Sequence, residues 1–371
     1  MIDNRITQLA KNLVNFSVAV KKGDKVLIEA SGIDTPLITE LVKAVYAAGG
    51  FPFVEIYDSK IQRAILNGIT DDHATLMAKY AGVRMGEMQC YIGIRGGSNS
   101  FETSDVASDK MDIYSRLYSH PVHHNLRVAK TRWVVLRYPN ESMAQLAGSS
   151  TEAFEDYYFN VCNLDYSKME KAMDGVIKLF NKTDKVRIVS PGTDLTFSIK
   201  GIGSQKCAGH MNIPDGEAYS APVKNSVNGT IKFNCPSISQ GTKFEDIQLT
   251  FKDGKIVKSS ANFNDKFTKI LDTDEGSRYL GEFALGVNPH ITKPIGDILF
   301  DEKIAGSIHL AIGSSYDDAD NGNKSAVHWD LVLIQTKEYG GGEIYFDNKL
   351  IRKDGIFVHP DLLALNPENL K

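Results

Sequence analysis

The 371-residue chain is poor in cysteine: four thiols, Cys90, Cys162, Cys207 and Cys235, are spread along it. No two are spaced as a C-x-x-C pair, which excludes a zinc knuckle and a dithiol redox motif. Scattered single thiols point to a reducing compartment. No apolar run approaches the roughly 18 residues of a membrane helix. The N-terminus, MIDNRITQLAKNLVNFS, carries acidic, amide and basic residues where a signal peptide has an apolar core. A basic surplus is also lacking: 42 Lys and Arg stand against 46 Asp and Glu, a net charge of -4 that argues against a nucleic-acid footprint. Neither G-x-S-x-G nor H-E-x-x-H occurs, so no serine nucleophile elbow or zincin helix competes for the chemistry. These absences predict a cytoplasmic protein with neither membrane nor nucleic acid as a partner.

What is present begins with a helix. Ile6, Leu9, Ala10, Leu13 and Val14 follow the i, i+3, i+4, i+7, i+8 stripe of one buried helical face. Residues 25–30 (KVLIEA) read as a strand. Asp34-Thr35-Pro36 reads as an N-cap with proline in the first turn, opening a helix that stops at Gly49-Gly50. FPFVEIY at 51–57 is the next strand. Strand, helix and strand in this order predict a βαβ unit and a parallel sheet. Residues 90–94 and 132–137 continue the strands, and Met169, Ala172, Met173, Val176 and Phe180 form another helical stripe. From Val186 onward, two-residue turns join alternating segments, as in IQLTFK-DG-KIVKS and EIYF-DN-KLIRKDG, which predicts antiparallel hairpins. The predicted architecture is an α/β N-terminal domain with a parallel sheet over 1–185, followed by a β-rich α+β domain over 186–371.

Three histidine-bearing segments invite a metal reading. HPVHH (His120, His123, His124) resembles a ligand cluster, but Pro121 is expected to break any helix that would aim the three rings together, leaving solvated loop histidines. In SIHLAIG, a strand puts Ser307, His309 and Ala311 on one face, so His309 has small neighbours and room for a ligand, or is tucked against a core serine. In VHWDLVLIQ, His328 and Asp330 share a face, with Val327, Trp329 and Leu331 on the other; the pair can chelate an ion or simply hydrogen-bond. Glu217 lies in NIPDGEAYSAP, which reads as a loop between strands. Glu282 lies in LDTDEGSRYLGEFALGVNP, which reads as a helix opened at 272–274 and closing near Gly281. Its apolar neighbours require the carboxylate to be paired, protonated or on a cation, because burying it alone costs several kcal/mol. Glu302 follows another apolar run, in ILFDEK. Carboxylates and imidazoles with no cysteine beside them suit Zn, Co, Mn or Mg, and the set is large enough for two divalent ions.

In that order, NIPDGEAYSAP, LGEFALGVNP, SIHLAIGSSY and SAVHWD resemble the metal-binding segments of the thermophilic-type metallo-aminopeptidases, the family of aminopeptidases T, II and S. The resemblance extends to KKGDKVLIEA, AAGGFPFVEI and the block at 133–148, so it spans nearly the whole chain. It implies Glu217, Glu282, Glu302, His309, His328 and Asp330 as ligands of two divalent ions, with Glu282 as the bridge. It implies Tyr316 as a donor to the developing oxyanion, and the loop after it (DDADNGNKSA) as part of the substrate pocket. A homodimer acting on peptide substrates is implied too, hydrolysing N-terminal residues through a dinuclear metal-bound hydroxide. The competing readings are another dinuclear metal hydrolase and a non-catalytic small-molecule-binding protein. A phosphate-ester hydrolase would add Arg or Lys clamps, for which this reading finds only Lys324 beside the ligand segments.

Overall fold

The computed structural model describes residues 3–33, 35–99, 101–239 and 241–371, forming two compact units. One comprises Met1–Asn163 and Gly209–Pro214; the other comprises Leu164–Ala208 and Asp215–Lys371.

The first unit is built on parallel strands. Lys25–Ser31 pairs in parallel with Phe51–Tyr57 on one side and Cys90–Arg95 on the other, and Cys90–Arg95 pairs with Arg132–Arg137. The short strand Asn212–Ile213 completes the five-stranded sheet. Val26, Leu27 and Ile28 are all buried, as in a parallel strand covered on both faces. The helix Thr35–Ala47 makes the expected crossover; the proposed cap Asp34 lies outside the described residues. The N-terminal stripe forms the helix Asn4–Asn12 and its continuation Leu13–Ser17, with Ile6, Leu9, Ala10, Leu13 and Val14 all buried.

Pro121 does not break its helix. Ser115–Val128 runs through it as a π-helix. Proline removes one donor from the ladder, but Val122 is buried against Leu27, Met85, Met88 and Tyr91, with Tyr118 and Leu126 packed on the same cluster. Tertiary burial of that face outweighs the local defect. His120 and His124 stack with ring centroids 5.5 Å apart, while His123 turns to Tyr118. Among the described residues, none of the three belongs to a group able to hold a metal ion.

The second unit is antiparallel. Its eight-stranded sheet contains the expected hairpins Lys185–Ser190/Thr193–Ser198, Gln248–Lys252/Lys255–Ser260 and Glu343–Phe346/Lys349–Lys353. Asp253 and Gly254, and likewise Asp347 and Asn348, have positive φ, the condition for turns whose twist matches the flanking strands. A five-stranded sheet carries, in order, His328–Ile334, Ser307–Gly313, Leu280–Gly286, Glu217–Ser220 and Gln205–Cys207. The helix Tyr166–Phe180 belongs to this unit rather than to the N-terminal one, so the unit boundary at 163/164 precedes the change of sequence texture near 185. The reason is packing: Phe180 meets Phe283 and Phe346 edge-on or tilted, at 5.8 and 5.5 Å between centroids. Among the described residues, no helix is long and apolar enough to cross a membrane.

Candidate metal centre

The five-stranded sheet explains how residues spread over more than a hundred positions meet. Its register sets Glu282, Ala311 and Asp330 in one cross-strand row, and Ala284, His309 and Val332 in the next. Gly286 pairs with Glu217, and Gly313 with His328. Ligand-type residues thus alternate with Ala and Gly, whose small size leaves space above the sheet. Gly286 also permits a close approach from outside the sheet. A Cβ there would lie 2.5 Å from the Ile304 carbonyl oxygen and 2.9 Å from that of Glu302. The missing side chain lets the Glu302 segment reach the strand.

Two sequence-based element assignments are corrected. Glu282 sits in the middle of the strand Leu280–Gly286, not at the end of a helix; only a short 3-10 turn, Glu275–Arg278, follows the cap Asp274. All seven residues of that strand are buried, and such a strand has no polar face to reveal its period. Glu217 opens the strand Glu217–Ser220 rather than lying in a loop. Glu302 caps the C-terminus of the helical turn Ile298–Asp301.

The structure draws these side chains into two groups. The potential ligand atoms of Glu217, Glu302 and His309 all lie within 4.8 Å of one another, as do those of Glu282, His328 and Asp330. Glu282 faces both: Oε1 is 3.1 Å from His309 Nε2, and Oε2 is 3.4 Å from His328 Nε2. His309 Nδ1 donates to the Glu302 carbonyl oxygen at 3.2 Å, and His328 Nδ1 to that of Ser314 at 2.8 Å. A carbonyl only accepts, so each Nδ1 carries a proton and each Nε2 is turned toward the carboxylates, the orientation that prepares imidazole for a metal. Tyr316 stands at the rim, 47% exposed, its ring centroid 4.6 Å from that of His328.

Buried polar atoms without hydrogen-bond partners occur at the centre of this arrangement: Glu217 Oε2, His328 Nε2 and Asp330 Oδ1. Orphaned buried atoms of this kind are rare in folded proteins, and a cation in each group would satisfy them. The donor set therefore fits divalent ions.

Electrostatics in the ion-free chain reflect the same crowding. Burial alone would raise the Glu282 carboxyl, but contacts from His309 and His328 outweigh it and bring the value down to about 2. Burial likewise opposes charging of the imidazoles, yet Glu282 and its neighbouring carboxylates raise His309 to about 10 and His328 to about 9. Burial, with the Glu282 charge beside it, pushes Asp330 up to about 6, and burial raises Glu217 and Glu302.

Two neighbours escape sequence reasoning. Lys303 is fully buried; its Nζ contacts Glu302 Oε1 and lies 3.6 Å from Glu217 Oε1. A lysine directly after the candidate ligand Glu302 was the available signal. Cys207, expected to be remote from the ligands, pairs with Glu217 across the sheet and forms a third potential group with Asp215 and Glu217. Antiparallel pairing of Gln205–Cys207 with Glu217–Ser220 brings the thiol there.

The profile of the thermophilic metalloprotease (M29) family matches residues 2–351. Aminopeptidase PepS of Streptococcus thermophilus is 25% identical over 382 residues, covering 88% of this chain and 91% of that protein. AmpS of Bacillus subtilis is 37% identical over 158 residues. The chain spans a little over a third (37%) of the length of AmpS and of aminopeptidase 2 of Geobacillus stearothermophilus. The solved structure of AmpT from Thermus thermophilus superposes with a TM-score of 0.78 at 20% identity, covering 97% of this chain and all of that one. A 2,5-dihydroxypyridine dioxygenase from Pseudomonas putida shares the fold at a TM-score of 0.61 and 12% identity, with 96% of this chain and 98% of that one covered. Such a pair of neighbours shows that this fold is not tied to one reaction. The family match over nearly the whole chain decides the kinship: this chain belongs to the thermophilic metalloprotease (M29) family.

Proposed function

We propose that the protein is a metal-dependent aminopeptidase that hydrolyses N-terminal residues from peptides at a centre of two divalent ions, drawn from Zn, Co, Mn and Mg. The observation that carries this reading is the pair of ligand groups, Glu217–Glu302–His309 and Glu282–His328–Asp330, joined by the two oxygens of Glu282. The M29 profile supports the peptidase class, and the aminopeptidase names of the relatives support the substrate.

Glu217, Glu302 and His309, and Glu282, His328 and Asp330, would hold the two ions, which would supply Lewis acidity toward a water and the scissile carbonyl. The chain supplies the rest. Glu282, which faces both groups, or a carboxylate beside it takes a proton and returns it to the leaving amine. His309 and His328 stay oriented through their Nδ1 bonds to backbone carbonyls. The Tyr316 hydroxyl, at the exposed rim, is the donor to the developing oxyanion. Asp318, in the loop after Tyr316, accepts a hydrogen bond from Tyr219 at 2.9 Å, which steadies that side of the substrate pocket.

Four free thiols support a reducing, cytoplasmic setting. A homodimer is supported by the edge strand Phe51–Tyr57, which presents Phe51, Phe53, Val54 and Ile56 to solvent.

The test pairs metal analysis with turnover. Protein stripped by a chelator and reloaded should cleave aminoacyl anilides, should leave their N-acetylated forms intact, and should not act on phosphate esters. Glu282→Gln and His309→Ala should lose both bound metal and activity. Full activity in either variant after chelator dialysis would overturn the site, and equal cleavage of acetylated substrates would overturn the aminopeptidase reading.

A further inference from the structure

We infer that Lys303 is a positioning residue and resident cation of the metal centre, making the Glu217–Glu302–His309 group the weaker of its two ion sites. This rests on the two-ion reading above.

The ligand groups are alike in size but not in surroundings. Lys303 lies fully buried against the first, its ammonium touching Glu302 Oε1 and standing 3.6 Å from Glu217 Oε1. No lysine or arginine ion pair reaches Glu282 or Asp330 among the described residues; their charged contacts are with His309 and His328. An imidazole offers a lone pair to a metal ion, whereas an ammonium offers none, so Lys303 stands beside the first group as a cation and not as a ligand.

That fixed charge has two effects. Before any ion arrives, it compensates two buried carboxylates and holds them in place, since buried charges without a partner are strongly unfavourable. Once an ion enters, the same ammonium repels it at close range in a medium less polar than water. It also occupies one oxygen of Glu302 that would otherwise be free to coordinate. The Glu282–His328–Asp330 group carries neither penalty and fills first. With both ions present, the four carboxylates and Lys303 leave the centre one unit less negative than the carboxylates alone would.

The full-length chain, stripped with chelator, is titrated with cobalt(II) by calorimetry while the visible absorption of the bound ion is followed. Wild type should bind two ions in steps at least about tenfold apart in affinity. Asp330→Asn should abolish the tighter step and Glu302→Gln the weaker one; the reverse assignment overturns the inference. Lys303→Met should narrow the gap by about tenfold or more by tightening the weaker step, while Lys303→Arg keeps it. A gap that is unchanged or wider in Lys303→Met overturns the inference. The ligand variants report on the order of filling even if Lys303→Met does not fold. Wild type that takes up fewer than two ions would sink the two-ion reading itself, an outcome distinct from an unchanged gap in a two-ion protein.

Discussion

At the scale of single residues, the centre works through what each side chain is prevented from doing. His309 and His328 spend Nδ1 on backbone carbonyls, so only Nε2 is left to face the carboxylates. Tyr316 is different in kind: it is 47% exposed, and its ring lies against His328 while no residue of the two ligand groups holds its hydroxyl. It can therefore be altered without dismantling the ligand set. Tyr316→Phe should keep full metal content while kcat falls on the order of 10²-fold, the size of effect seen when one oxyanion donor is removed. Metal analysis beside steady-state kinetics checks this; lost metal would make Tyr316 a structural support. The His328–Asp330 pair was legible from alternation along one strand, and the two groups indeed share a face, 3.5 Å apart. Lys303 and Cys207 were not legible as neighbours of Glu217, because adjacency across a sheet is set by register and leaves no local pattern.

Elements hold the centre from two sides. On the face opposite the ligands, Phe283 alternates with Glu282 and packs against Phe197 at 5.1 Å and Phe180 at 5.8 Å between ring centroids. Phe283 is fully buried, so Phe283→Ala should destabilise the protein by about 3–5 kcal/mol, measurable by denaturant unfolding. A loss below about 1 kcal/mol would mean that the aromatic cluster does not fix the strand. At the start of the His328 strand, Asp274 accepts hydrogen bonds from Ser277 N at 2.9 Å, Ser325 Oγ at 2.7 Å and Ala326 N at 2.7 Å, tying down the approach to His328. These bonds hold its carboxyl at about 2, below the ordinary value of 3.8. Because the folded value is the lower one, the stability it contributes is complete above the ordinary value and disappears as the pH falls toward 2. Asp274→Asn should therefore flatten the acid limb of the stability curve in that window, and an unchanged limb would show that these bonds carry no net stability.

At the scale of the whole molecule, the parallel sheet ends in an exposed edge strand. Edge strands carry unpaired backbone groups, and proteins usually blunt them with charge or cover them. Here Phe51–Tyr57 is largely exposed and mostly apolar, with Pro52 the one residue lacking a donor and Glu55 paired to Arg84. In the proposed dimer this edge lies at the interface. Light scattering on the purified chain should give twice its 40.9 kDa mass. Ile56→Lys should shift the species toward monomer while leaving bound metal unchanged; a dimer that persists would put the contact elsewhere.

Local information in the sequence determined the periodic parts: the N-terminal stripe, the βαβ order and the hairpin turns at Asp253-Gly254 and Asp347-Asn348. Each rests on short-range sterics or on burial of one face, and both leave a periodic trace. Tertiary structure decided whatever depended on burial from both sides. It made Leu280–Gly286 a strand where the apolar run reads equally as helix, carried the π-helix through Pro121, and gave the Tyr166–Phe180 helix to the second unit. It also decided the centre, because only the register of four antiparallel strands, with Ala and Gly between the ligands, brings Glu217, Glu282, His309, His328 and Asp330 together, and only the close approach at Gly286 adds Glu302 and Lys303. A residue's type can announce that it needs a partner, but which partner it meets is fixed by packing between segments distant in the chain.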